Sequence, residues 1–225
     1  MAFGFLEAAV VVYIRLLYFP EGFSFPLTLA PAEVYLVELT REVCTMLMLT
    51  ATGVLAGRNA IQRFAWFLYA FAVWDICYYL ALKTFLDWPP SLFTWDILFL
   101  IPVVWDGPVL APIICSVTMI GFAVVVLETE RKGRSIIIRN SEWLMMSAGA
   151  FLVFYTFIKD YSAILIRSGF FSGTHLAGIV PAMEEILDFI PQKFSWTLFG
   201  IGEMLILTSV FLFGKRSILR IRVRQ

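Results

Sequence analysis

Glu38, Arg41 and Glu42 fall inside an otherwise apolar stretch running from Ala32 to Leu55. Glu38 and Glu42 are four residues apart and Arg41 is three from Glu38, so on a helix all three share one side, which Thr45 continues. A charged side chain in lipid costs about 2.5–3.5 kcal/mol on insertion scales, so such groups face a bundle interior or a water-filled path. Carboxylates gathered there can share a proton, because like charges in contact do not all ionise, or they can attract a cation. Three more residues belong to the same pattern: Arg15 in the first apolar run, Asp75 in the third, and Glu203 between Gly202 and Met204 in the last. Counting about 1.5 Å per residue along each helix sets Arg15 at the depth of Glu38, and Glu42 near the midplane with Asp75. Arg15–Glu38 is therefore the expected interhelical pair. Glu203 is expected in the outer half of its helix, where Gly200 and Gly202 admit a close neighbour. Glu38, Arg41, Glu42, Asp75, Glu203 and Arg15 are the candidate ion or proton pathway. The competing reading is that buried pairs lock helices together, and Glu7 and Lys83, near the ends of their spans, read as structural.

These residues need a membrane bundle to position them. The chain is 60% hydrophobic and 15% charged, with mean hydropathy +0.85, which is more apolar than soluble domains. A helix crosses the hydrocarbon core with about 20 mainly apolar residues. Six spans are read, roughly Phe3–Phe19, Ala32–Leu55, Phe64–Leu86, Val109–Leu127, Glu142–Leu165 and Trp196–Phe213, the first being short. The expected fold is an all-α polytopic bundle, one membrane domain over residues 1–225. Net charge is zero, so the totals point to no nucleic-acid partner. Arg58 and Arg63, then Arg131, Lys132, Arg134 and Arg139, then the tail from Lys215 onward, occupy alternate connections. Phe19–Pro31 and Asp87–Gly107 carry no Lys or Arg. Basic short loops stay cytoplasmic, so both termini are expected inside. No stretch reads as a cleavable signal peptide, since Glu7 and Arg15 interrupt the first apolar run.

Asp87–Gly107 is apolar in its middle but too short to span, with Pro89, Pro90 and Pro102 limiting any helix. It is read as a short re-entrant or interfacial helix, its Trp residues anchoring at the interface. Trp95, Asp96 and Asp106 are the candidate outer-entrance residues; the alternative is a loop with an interfacial Trp belt. Pro181 to Ile190 reads as a surface helix with an apolar face and with Glu184, Glu185 and Asp188 elsewhere. The basic tail, Arg220-Ile-Arg-Val-Arg, fixes topology and touches anionic lipid.

His175 is the only histidine, so a bis-histidine haem carrier and a histidine-rich di-iron oxidase are not expected. No HExxH, P-loop or Rossmann glycine pattern is present. Cys44, Cys77 and Cys115 lie in separate spans without paired spacing and read as inert thiols. No catalytic residue, cofactor or metal is expected, and the reading leans away from an enzyme.

Glu7-Ala-Ala-Val-Val-Val-Tyr-Ile-Arg, Arg41-Glu-Val-Cys-Thr-Met-Leu-Met-Leu, Val73-Trp-Asp-Ile-Cys-Tyr-Tyr and the stretch from Trp88 to Pro102 resemble an uncharacterised group of bacterial multi-pass inner-membrane proteins. That resemblance implies a bacterial cytoplasmic membrane and no particular activity. Gly4-Phe-Leu-Glu-Ala-Ala-Val-Val-Val is also similar to the first helix of iron-permease-type transporters. Their Arg-Glu-x-x-Glu motif is missing there, and Glu38-x-x-Arg-Glu reverses its order. This likeness carries over only Glu7, as a cation ligand. Two functions are expected in competition: a proton- or cation-linked transporter or channel-like protein, and a non-catalytic subunit or scaffold of a larger membrane complex, a respiratory one included. The expected partners are the lipid bilayer and a homo-oligomer or larger membrane complex.

Overall fold

The computed structural model describes residues 1–27, 31–134, 136–168 and 185–219. Six long helices dominate: α1 Ala2–Tyr18, α2 Ala32–Ala56, α3 Ala60–Leu86, α4 Leu110–Arg131, α5 Asn140–Arg167 and α6 Trp196–Leu219. Five of them, α2 to α6, are long and apolar enough to cross a membrane. The chain is an all-α helical bundle and a membrane protein. α1, with only 17 residues and two buried charges, falls short of that requirement.

Local chemistry sets the helix ends. Asn59 caps α3 by accepting a hydrogen bond from Gln62 N at 2.9 Å. At its far end α3 stops at Asp87, whose φ of 49° is left-handed. Lys83 hydrogen-bonds this exposed carboxylate and holds it below the usual range. Glu142 accepts from Arg139 N at 2.8 Å at the start of α5 and also pairs with Arg216 of α6.

The helices form an arc. α2 packs on α3, α3 on α4, α4 on α6, and α6 on α5, while α1 lies along α3. Close approach needs missing side chains. A Cβ on Gly149 of α5 would stand 2.5 Å from Gly202 O of α6, and one on Gly202 would stand 2.8 Å from Gly149 O. Gly202 serves the role expected of it, whereas Gly200 has open space around it. Gly4 of α1 meets Trp74 O of α3 in the same way, at 2.6 Å. From there α1 and α3 run in the same sense, so Arg15 reaches Trp88. α1 thus flanks only the latter half of α3.

The segment between α3 and α4 is not a helix. Trp95–Phe99 (β1) and Trp105–Pro108 (β2) form an antiparallel hairpin, pairing Asp96 with Gly107 and Ile97 with Asp106, with a bulge between Ile97 and Phe99. The prolines that bar a helix leave Trp, Ile, Phe and Val runs that suit a pleated ribbon. The hairpin enters the bundle from the end where α3 stops. There its strands satisfy each other's backbone, and protein surrounds it, as non-helical backbone at membrane depth requires. Trp105 stacks on Phe157 of α5 with ring centroids 6.1 Å apart. We call this end of the bundle the hairpin end. The opposite end, carrying Arg58, Arg63, Arg131, Lys132 and Arg216, is the basic end.

Residues 185–188 form a helical turn. His175, Pro181, Glu184 and the tail residues Arg220, Arg222 and Arg224 lie outside the described residues.

Candidate functional site

A cavity of about 980 Å³ occupies the inside of the arc. Its wall contains Glu38, Arg41, Glu42, Asp75, Glu203 and Arg15, together with Glu7 and Asp96.

Arg41 is the hub on α2. Its Nε donates to Glu38 Oε1 at 3.0 Å and its Nη2 to Glu38 Oε2 at 2.5 Å, while Nη1 pairs with Glu7 Oε1 of α1. Thr45, one turn on, donates to Glu7 Oε2 at 3.1 Å. α1 and α2 are thus joined by one network in which two carboxylates bracket a guanidinium. Glu42, on the same side, takes no part in it. Both of its oxygens accept from Leu100 N at the hairpin tip, at 2.8 and 3.0 Å. That amide has no strand partner, and the carboxylate supplies the acceptor it would otherwise lack.

The expected Arg15–Glu38 pair does not form. Arg15 Nη2 pairs with Asp96 Oδ1 of β1 at 2.8 Å, and Tyr79 donates to Asp96 Oδ2 at 3.3 Å. The guanidinium lies over Trp88, 3.7 Å from the ring centroid, and 4.5 Å from that of Phe23. A desolvated cation–π contact of this kind contributes about 2 kcal/mol. It also covers Nη1, which has no hydrogen-bond partner. Glu7 meets Thr45, so about two turns further along α1 Arg15 comes level with the part of α2 that carries Glu38. The partner differs because the hairpin delivers a carboxylate to that depth.

Asp75 and Glu203 face α4. Ser116 donates to Asp75 Oδ2 at 2.8 Å and Thr118 donates to Glu203 Oε2 at 2.7 Å. Ser116 is completely buried. α4 therefore spaces the two acids two residues apart along one helix, with Cys115 beside them on the cavity wall.

Trp95, Asp96 and Asp106 were expected at an outer entrance. The two aspartates are each only 1% exposed. Partners in register share a face of the ribbon, so Asp96 and Asp106 point to opposite sides. Asp106 points toward α5, where Lys159 and Asp160 act on it. Among the described residues neither of its oxygens has a hydrogen-bond partner, and nor does the nearby Tyr161 hydroxyl. Trp95 packs edge-on against Phe194, centroids 6.1 Å apart.

Sequence reasoning missed Glu7 as a member of the network, because it lies near a helix end and reads as a snorkelling group. Thr45 was visible as part of the α2 stripe. Ser116 and Thr118 carried no signal, since hydroxyls are common in apolar helices. Among the described residues, no three His, Cys, Asp or Glu side chains converge as a metal ion requires.

No protein-family model, curated protein or solved structure matches this chain. Neither resemblance drawn from the sequence therefore assigns it an activity.

Proposed function

We propose that this protein is a proton- or cation-linked transporter or channel-like protein, with the cavity as its working site. One observation carries this reading. Six carboxylates, Glu7, Glu38, Glu42, Asp75, Asp96 and Glu203, line a single cavity with two guanidiniums, Arg15 and Arg41. Ionisable groups gathered inside a membrane bundle mark ion and proton pathways, and an excess of acids over bases favours protons or cations as the species handled. Asp75, Glu203 and Glu42 are the exchanging groups, since hydroxyls or an amide rather than cations hold them. Arg41 and Arg15 anchor the network. The hairpin closes the outer side, with Asp96 on the cavity wall and with Trp95 and Asp106, which do not line the cavity, packed against Phe194 and toward α5. Basic residues concentrated at one end set that end in the cytoplasm, with both termini there and the protein in a bacterial inner membrane.

The test is flux in liposomes holding a pH-sensitive dye, under an imposed potential. The full chain is expected to raise proton or cation flux above protein-free vesicles, and Asp75→Asn or Glu42→Gln to lower it at least tenfold while the protein still melts cooperatively. Wild-type flux no greater than that of empty vesicles, or both variants running at full rate, overturns the reading.

A second reading, a non-catalytic subunit of a larger complex or homo-oligomer, draws on α2. That helix closes one edge of the arc and packs on α3 alone among the spanning helices α3 to α6, which leaves a face for a partner. Purification in mild detergent with stoichiometric companions would favour it.

A further inference from the structure

The cavity is not shaped for a bare ion. Below the hairpin tip its wall is apolar, formed by Phe64 and Leu68 of α3, Met119 and Phe122 of α4, and Trp143 and Met146 of α5. Among the described residues it is also open sideways. The arc ends at α2 and α5; both line the cavity, yet they do not pack closely on each other. Toward the basic end, Trp143, Ser147 and Ala150 of α5 line the cavity and remain exposed. The hairpin fills the gap between α2 and α5 only toward its own end. An apolar chamber reached from the lipid, with a charged roof, matches an amphiphile that partitions into the bilayer first. Its volume of about 980 Å³ accommodates a single-chain molecule of that kind.

The roof decides the sign of the head group. Arg41 is bracketed by two carboxylates, Glu38 on Nε and Nη2 and Glu7 on Nη1, so its charge is already balanced. Arg15 is held by Asp96 and covered by Trp88. No other Lys, Arg or His among the described residues lines the cavity, so an anionic head finds no cation that a carboxylate does not already balance. Carboxylates, by contrast, each accept several hydrogen bonds, and Glu7, Glu38 and Glu42 keep lone pairs to spare around one guanidinium. Glu38 is the most open of the three acids that the structure pairs or caps at this roof, with its side chain 16% exposed.

We propose that the cavity binds a membrane-soluble amphiphile with a protonated amine head, which enters between α2 and α5 and sets its head against Glu38 and Glu42 under the hairpin. This rests on the transport reading of the cavity and names its cargo class.

The experiment uses the full chain in nanodiscs, with dodecylamine as the probe and dodecanoate and dodecanol as matched controls. Equilibrium binding is measured above that of protein-free discs. Saturable dodecylamine binding is expected, at least tenfold tighter than either control. Ala150→Trp, which fills the chamber, and Glu38→Gln, which removes an acid from the roof, are each expected to weaken it at least tenfold. Ala148→Trp adds the same bulk on the exposed stripe of α5 that carries Leu144 and Phe151, away from the cavity, and is expected to leave binding unchanged. Cooperative melting of each variant confirms that it has folded, and Ser147→Phe replaces Ala150→Trp where it has not. Equal binding of dodecanoate, or wild-type binding by the chamber-filling variant, overturns the proposal. Proton flux is recorded without amine in liposomes reconstituted from the same purified protein. Intact flux with no amine binding sinks this inference alone, and amine binding without any flux sinks the transport reading and leaves a binding protein.

Discussion

Asp96 and Asp106 lie on paired strands and are equally buried, yet one is held on both oxygens and the other on neither. The difference fixes what each costs to replace. Asp96 neutralises Arg15, and removing one partner of a buried pair leaves an uncompensated charge, at about 3–5 kcal/mol. Trp88 and Phe23 soften that loss without cancelling it. Asp106 has no hydrogen-bond partner among the described residues, and the nearby Lys159 and Asp160 pair with each other; a buried carboxyl without a partner of its own takes up a proton rather than remain charged. Asparagine matches a neutral acid in size and polarity. Asp96→Asn is therefore expected to lower unfolding stability in detergent by about 3 kcal/mol or more, and Asp106→Asn by under about 1 kcal/mol, within the scatter of substitutions that break no contact. Thermal or denaturant melts of the two variants side by side check this. Equal losses would mean that Asp106 is ionised and paired.

At the scale of elements, the helices were legible because composition, length and charge punctuation are local signals. The hairpin was not. Ser91–Ile101 is apolar over a length at which strand and helix patterns overlap. The three prolines that flank it, Pro89, Pro90 and Pro102, said only that a long helix was barred. The pairing of Arg15 followed the same blind spot: its depth could be counted along α1, but its partner sits in a strand whose register no local pattern reveals. Glu7 was hidden for another reason, since its role depends on where α1 lies against α2. The hairpin tip is anchored to the helices through Glu42, whose carboxylate holds Leu100 N. A hydrogen bond to a charged acceptor contributes about 1.5–3 kcal/mol, which is roughly a tenfold to hundredfold change in an opening equilibrium. In Glu42→Ala, amide hydrogen exchange across Phe99–Val104 is expected to accelerate by that factor while the amides of α4 and α6 keep their rates. Unchanged exchange at the tip would mean that the paired strands hold the hairpin without help from α2.

At the scale of the whole molecule, the arc and the charge distribution make a joint statement about orientation. α3 and α5 run from the basic end to the hairpin end, and α2, α4 and α6 run back. Arg131 and Lys132 close α4, Arg139 precedes α5, and Lys215 and Arg216 lie in the last turns of α6. At the other end, the turn that leaves α3 presents Asp87 and no Lys or Arg before α4 begins. Moving the basic end across a membrane would mean translocating all of these cations, which is the basis for proposing that this end faces the cytoplasm. The Glu142–Arg216 pair at the same end ties α5 to α6, which leaves the lipid-facing opening between α2 and α5 as the looser seam. In a background with Cys44, Cys77 and Cys115 replaced by alanine, Lys132→Cys and Lys215→Cys are expected to react with an impermeant maleimide only in inside-out vesicles. Asp87→Cys, fully solvent-facing at the hairpin end, is expected to react only in right-side-out ones, with each preferred side at least tenfold faster. Labelling of Asp87→Cys and Lys132→Cys from the same side would show that α4 does not cross, and the arc would then have to close around something other than a bilayer.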